Sequence, residues 1–421
     1  MIGVDLEDFI TISMAQAGGG WGRPLRPTHI LPPTESPDTS SVAEVWPCTQ
    51  ESGVATVTPY STLLPRPAND PSQHGILLNI YKETGALPEE RHADRLQLGC
   101  ARVVRVLRTH HACSLRTLEQ KISDAGPSPQ RIDPHILTEA IKSLKDERRI
   151  VEIRPGDQLG RWFHLPETPA QTVQTKLDQV LPLLRNLIAD RVTKRTGQAL
   201  EIAVYRAILG SNCAVDVFGG YGDLDAHDDS TLYTKQEIQR LNGNDLGREA
   251  LDFIVRTDGH LCGIEVKNVR PWMYPHDEDI RQLLRKCLIL KVHPVFIARR
   301  IHFSTVSVFK KCGLIIHQTY NQRMALSDTA LADQVKHKDA LGYHDIRCGN
   351  LPDARLTKFI AENLSVITED AIGRFERYKD LISNYAFGAV DYEEFAGRAR
   401  RRERDEPEDG EFIIEEAPED W

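Results

Sequence analysis

The sequence predicts a mixed α/β protein: a mixed sheet flanked by helices, preceded by a small helical domain and followed by a helical segment. Three observations predict it. Glu249 to Arg270, EALDFIVRTDGHLCGIEVKNVR, reads as a β-hairpin, because strand-like runs at 251–255 and 261–266 flank Asp258-Gly259, the strongest short hairpin signal. Around it the chain runs helix, strand, hairpin, helix, strand, helix, strand, the order of a mixed α/β core. The composition, 40% hydrophobic and 27% charged over 421 residues, fits a soluble globular protein of two or three domains.

In chain order, residues 1–75 are expected to be disordered. Ten of the 24 prolines fall there, with Gly18-Gly19-Gly20 and no lysine before Lys82, which leaves too little periodic apolar surface to offset ordering entropy. Residues 76–168 read as a compact domain. A helix over 98–110 carries Val103, Val104 and Leu107, and Ser114 caps a second with Leu115, Leu118 and Ile122. Asp133-Pro134 opens a third helix with Leu137, Ile141 and Leu144 on one face. Two strands, 149–153 and 161–165, follow around Pro155-Gly156-Asp157.

From 172 to 322 the α/β core is expected. Thr172 to Leu209 is helical and bent or split at Pro182; its second half sets Glu201 among apolar neighbours. A strand over 212–218 ends at Gly219-Gly220. Residues 221–248 read as an aspartate-rich insertion with a short helix near 235–241. After the hairpin come a helix over 277–290, a strand over 294–298, a short helix over 304–311 and a strand over 313–317. Residues 323–395 read as helical packing on the core, and 396–421 as an acidic disordered tail in which Phe412-Ile413-Ile414 is a candidate docking motif.

The hairpin carries the chemistry. With Asp258-Gly259 as a two-residue loop, Thr257 pairs with His260, Arg256 with Leu261, Val255 with Cys262 and, counting on, Asp252 with Glu265. Opposed residues share a face, and alternation adds Lys267 to it, while Phe253, Val255, Ile264 and Val266 point into a core. Opposed like charges destabilise a sheet, so Lys267 or a divalent cation must compensate. Mg²⁺ suits two carboxylates because it prefers oxygen ligands.

Charge and cysteines narrow the class. The net charge of −9 is held in 403–421, with ten Asp/Glu and one Arg; residues 91–165 instead carry fourteen Lys/Arg against nine Asp/Glu, a local basic balance that suits nucleic acid. Eight scattered cysteines form no CxxC or zinc spacing, as expected of a reduced cytoplasmic protein. No apolar run approaches a membrane span, no secretory signal is seen, and no P-loop is present.

Asp252 and Glu265-Val266-Lys267 resemble the motif of the PD-(D/E)XK nuclease superfamily, the restriction-endonuclease-like fold; Leu251 stands where the family name has proline. The resemblance covers about residues 172–322. It implies Mg²⁺- or Mn²⁺-assisted phosphodiester hydrolysis, with Asp252, Glu265 and the Val266 carbonyl as metal ligands. Lys267 would orient or deprotonate water or stabilise developing charge, Glu201 would assist a metal-bound water, and Gln282 would be the polar residue on the following helix. Asn268, Arg270 and Trp272 are weaker candidates for substrate contact, with packing the bland reading of Arg270 and Trp272.

The order of elements in 76–168 resembles a winged-helix domain. That resemblance implies nucleic-acid contact through His135, Lys142 and Lys145 on the third helix and Arg154 and Arg161 at the wing. The bland reading is a solvated face on a protein-binding domain. The expected function is a DNA endonuclease of restriction, phage defence or mobile elements. Its partner would be nucleic acid, above all double-stranded DNA, with a second copy or a partner protein beside it and no membrane. A non-catalytic DNA-binding regulator or assembly protein on the same scaffold, or a ribonuclease, is the alternative.

Overall fold

The computed structural model describes residues 88–125, 131–211, 216–225 and 229–408. The expectations for residues 1–75 and for Phe412-Ile413-Ile414 lie outside them. The described residues belong to one compact unit.

Three helices and a small sheet come first: α1 (Pro88–His110), β1 (Ala112–Ser114), α2 (Leu115–Glu119, continued by a wider turn over Gln120–Asp124), α3 (Pro134–Asp146), β2 (Val151–Ile153) and β3 (Trp162–His164). The Ser114 hydroxyl accepts the Thr117 amide at 3.1 Å, the cap expected from its hydroxyl at that position. β3 lies between β1 and β2, antiparallel to both. Val103, Leu107, Leu118, Leu137, Leu144 and Phe163 close a core of their own.

Helices α4 (Ala170–Leu187) and α5 (Asp190–Leu209) divide at Ile188-Ala189. Pro182 sits inside α4 and is not the break. A mixed five-stranded sheet follows, made of β4 (Val217–Phe218), β9 (Phe253–Thr257), β10 (His260–Lys267), β11 (His293–Ala298) and β12 (Ile315–Gln318), in the order β12-β11-β10-β9-β4. β9 and β10 are antiparallel in the expected register, Thr257 opposite His260 and Val255 opposite Cys262, whereas β11 and β12 add in parallel. Asp258 and Gly259 take φ of 46° and 82°, the left-handed pair that a two-residue hairpin loop requires.

Both faces of this sheet are covered. α5 and the first part of α10 (Leu364–Ala386) pack on Phe253, Val255, Ile264 and Val266. α6 (Glu278–Leu290), α7 (Phe303–Lys311) and α11 (Tyr392–Glu403) cover the other face with Leu283, Leu284, Phe309 and Phe395. α6 approaches β10 so closely that a Cβ on Gly263 would meet Val292 at 2.7 Å and Cys287 at 3.0 Å. That approach brings the α6 side chains onto the face of Glu265.

Three expectations are corrected. The insertion 221–248 holds no helix near 235–241; short strands replace it, β5 (Gly220–Tyr221) with β6 (Lys235–Gln236), and β7 (Arg240–Leu241) with β8 (Asn244–Asp245). The second pair turns on Asn242-Gly243, at φ 48° and 78°, the same chemistry as the central hairpin. The 323–395 stretch is not all helical, because β13 (Gln322–Met324) and β14 (Ile346–Cys348) pair in parallel around α8 (Thr329–Lys336). Residues 396–403 are not tail but the end of α11, with Ala396 and Ala399 buried.

Candidate active site

The β9–β10 ladder ends at Phe253 opposite Ile264, one step before Asp252 and Glu265 would face each other. Past that point the Val266 amide has no strand partner on the β9 side, and the Asp252 carboxylate accepts it at 2.7 Å. The like-charge clash is resolved by divergence and not by Lys267 alone. Asp252 turns to Lys235 at 2.7 Å, and Glu265 turns to Lys267 at 3.0 Å and Lys286 at 2.9 Å.

Glu201 joins from the α5 side. Lys235 Nζ lies 2.8 Å from Glu201 Oε2, so one ammonium spans the two carboxylates, and the Tyr221 hydroxyl donates to the same Glu201 oxygen. Lys235 reaches Glu237 at 3.1 Å, and Lys267 reaches Asp279, in the first turn of α6, at 2.9 Å. Five carboxylates therefore meet three ammonium groups, an excess of two negative charges if all are ionised. Burial, and then the charge of Asp252, raises both Glu201 and Glu265 above the ordinary carboxylate range. Burial alone would lower Lys235 and Lys267, but their carboxylate neighbours more than offset it and hold both ammonium groups above their usual value. All the acceptors are hard oxygens, suited to Mg²⁺ or Mn²⁺. Among the described residues, no three His, Cys, Asp or Glu side chains form a ready cage. The set fits a divalent cation by its chemistry, provided a lysine gives way.

The structure thus gathers Asp252, Glu265, Lys267 and Glu201, with Val266 supplying the amide that fixes Asp252. Gln282 lies on the same face of α6 as Asp279 and Lys286, which contact Lys267 and Glu265 respectively. The Gln282 side chain makes no hydrogen bond among the described residues, and Lys286, one turn further along α6, takes the contact with Glu265. Lys235 and Lys286 were missed. Lys286 lies one helical turn from Gln282, whereas Lys235 sits in the insertion, where nothing local in the sequence marks it.

The substrate-contact residues divide. Asn268 is buried and structural: its side chain bonds the Thr196 carbonyl and both the amide and the carbonyl of Arg323, leaving nothing for nucleic acid. Arg270 is also committed inside, to Asp345 at 2.9 Å and Gln322 at 3.1 Å, with its guanidinium over the Tyr343 ring. Trp272 lies beside His302 and Arg300. His135 packs edge-on to His302 and does not project freely. Lys142 is exposed without an ion pair among the described residues, whereas Lys145 and Arg154 share Glu152 at 2.5 Å and 3.3 Å. Arg161 is half-buried beside Trp162, and its carbonyl accepts the Leu115 amide.

A second charged cluster adjoins the first. Arg299 is 1% exposed, and its amide donates to the Lys267 carbonyl at 3.2 Å. Its guanidinium reaches the Arg270 carbonyl, Asp345 and Asp124. It thereby ties the end of β10 to the turn after α2 and to the segment before β14. No helix among the described residues is long and apolar enough to cross a membrane. Comparison with protein-family models, with curated proteins and with solved structures returns no match.

Proposed function

We propose that the chain is a metal-dependent nuclease that hydrolyses phosphodiester bonds, with double-stranded DNA as its substrate. One observation carries the reading: Asp252, Glu265 and Lys267 lie at the end of one hairpin, and Glu201 from α5 is joined to Asp252 through a single cation, Lys235, in a cluster where carboxylates outnumber ammonium groups. Asp252, Glu265 and the Val266 carbonyl would hold Mg²⁺ or Mn²⁺, with Glu201 as an outer carboxylate. When bound, the ion supplies activated water and charge neutralisation at the phosphate. Lys267, braced between Glu265 and Asp279, presents its ammonium to the charge that develops on the phosphate oxygens. Lys286 fixes the direction of Glu265. The small domain resembling a winged helix offers Lys142, Lys145 and Arg154 to the DNA backbone.

The second reading is a non-catalytic DNA-binding protein on this scaffold. It is favoured by the lysine partner that each central carboxylate has. Incubation of the purified chain with single- and double-stranded DNA and RNA, with and without Mg²⁺, separates the readings. Cleavage that needs Mg²⁺, disappears in Asp252→Asn and falls sharply in Lys267→Ala is expected; cleavage at the wild-type rate in both folded variants overturns the nuclease reading.

A further inference from the structure

Lys235 rises from β6, a strand of two residues paired only with β5. An ammonium has three N–H donors. All three have an acidic acceptor here: Asp252 at 2.7 Å, Glu201 at 2.8 Å and Glu237 at 3.1 Å. The other Asp252 oxygen is held by the Val266 amide, so this carboxylate cannot turn away from the lysine without releasing the end of β10. The hairpin and α5 therefore converge their oxygens on one point, and a lysine fills it.

A divalent cation taking oxygen ligands at about 2.0–2.1 Å needs the same lone pairs. An ammonium and a metal ion at one point would also repel each other. The anchorage of Lys235 is slight next to that of β10, which has a neighbour on both sides. The lysine is the part that yields.

We propose that Lys235 is a built-in competitor for the divalent cation: its ammonium, held between Asp252 and Glu201, takes the Asp252 oxygen that the cation would need and must withdraw, with β6, for the cation to enter. The inference rests on the nuclease reading, because it supposes that these carboxylates take a metal. The lysine keeps the acid pair compensated while no metal is bound and lowers the affinity for metal when it arrives.

The test is calorimetric titration of the full chain with MnCl₂, as wild type and as Lys235→Met, Lys235→Arg and Asp252→Asn. Lys235→Met is expected to bind Mn²⁺ about tenfold more tightly than wild type, the factor carried by one charge-assisted hydrogen bond. Lys235→Arg, which keeps the charge, should stay near wild type, and Asp252→Asn should lose binding. Thermal denaturation reads the same comparison in a destabilised variant, because Mn²⁺ then raises the midpoint of Lys235→Met by more than that of wild type. Wild-type binding that Asp252→Asn abolishes, with Lys235→Met unchanged or weaker, overturns the competitor and leaves the nuclease reading standing. No Mn²⁺ binding in any variant removes the nuclease reading and this inference with it.

Discussion

Two buried charge clusters meet at the end of β10, and they are built differently. Around Arg299 the cations are arginines: Arg299 and Arg270 grip Asp345, and Arg299 also grips Asp124, with all four residues nearly enclosed. Around Asp252 the cations are lysines, the acids outnumber them, and Lys235 and Lys267 keep 18% and 25% of their side chains open to solvent. A planar guanidinium donates in fixed directions and fastens what it touches, whereas an ammonium is a compact point charge on a flexible stem. One cluster is built to hold segments together. The other holds its acids with flexible, partly exposed cations.

Breaking the first cluster has the largest expected effect. Arg299→Met removes the shared cation between buried Asp124 and Asp345, leaving Asp345 to Arg270 and Asp124 to Arg300 at 3.4 Å, and should cost about 3 kcal/mol, read by urea denaturation. In the second, Lys267→Ala should keep the fold but lower the Mg²⁺-dependent cleavage rate by about 10²–10³, with circular dichroism unchanged. A smaller effect follows from His317, whose ring stacks on Phe359 and whose Nε2 is buried without a hydrogen-bond partner. Burial, and then the nearby Arg355, lowers its pKa from 6.5 to about 4. The unfolded chain takes up that proton first as the pH falls. The stability owed to neutral His317 is therefore complete above pH 6.5 and lost as the pH drops towards 4, by about 3 kcal/mol at most. His317→Phe should flatten that part of the stability–pH curve and change stability at pH 7 by less than about 1.5 kcal/mol. A stability curve as steep as that of wild type would reject this. Smallest of all, Arg154→Ala should alter stability by about 0.5 kcal/mol or less while reducing the salt slope of DNA binding by about one.

The parts legible in the sequence were those with strong local signals. Asp258-Gly259 fixed the hairpin register because a one-residue slip would have turned every apolar side chain to the wrong face. Ser114 and Asp133-Pro134 marked helix starts by their chemistry. Asn242-Gly243 is an equally good turn signal, but the strands beside it are two residues long and mostly polar, which leaves no alternation to support it. β13 and β14 are three residues each and pair across an intervening helix, a parallel contact that periodicity does not reveal. In the site, Asp252, Glu265 and Lys267 were readable because they lie close along one hairpin. Lys235 was not, because its position depends on the Gly219-Gly220 bend: Gly219 has φ of 78°, and a Cβ on Gly220 would overlap the Tyr205 ring. Asn268 and Arg270 follow the motif directly and so read as candidates for substrate contact; the packing of β13 and of the segment before β14 over them makes them interior.

The reach of Arg299 sets an order on biosynthesis. Asp124 leaves the ribosome 175 residues before its arginine, and Asp345 emerges 46 residues after it. The first three helices have their own core and can form early. Asp124 then stays hydrated at their surface, and the docked state waits until the chain has been made past Asp345. Ribosome-bound chains halted before residue 345 should therefore leave the turn at 120–124 open to protease, and longer ones should protect it.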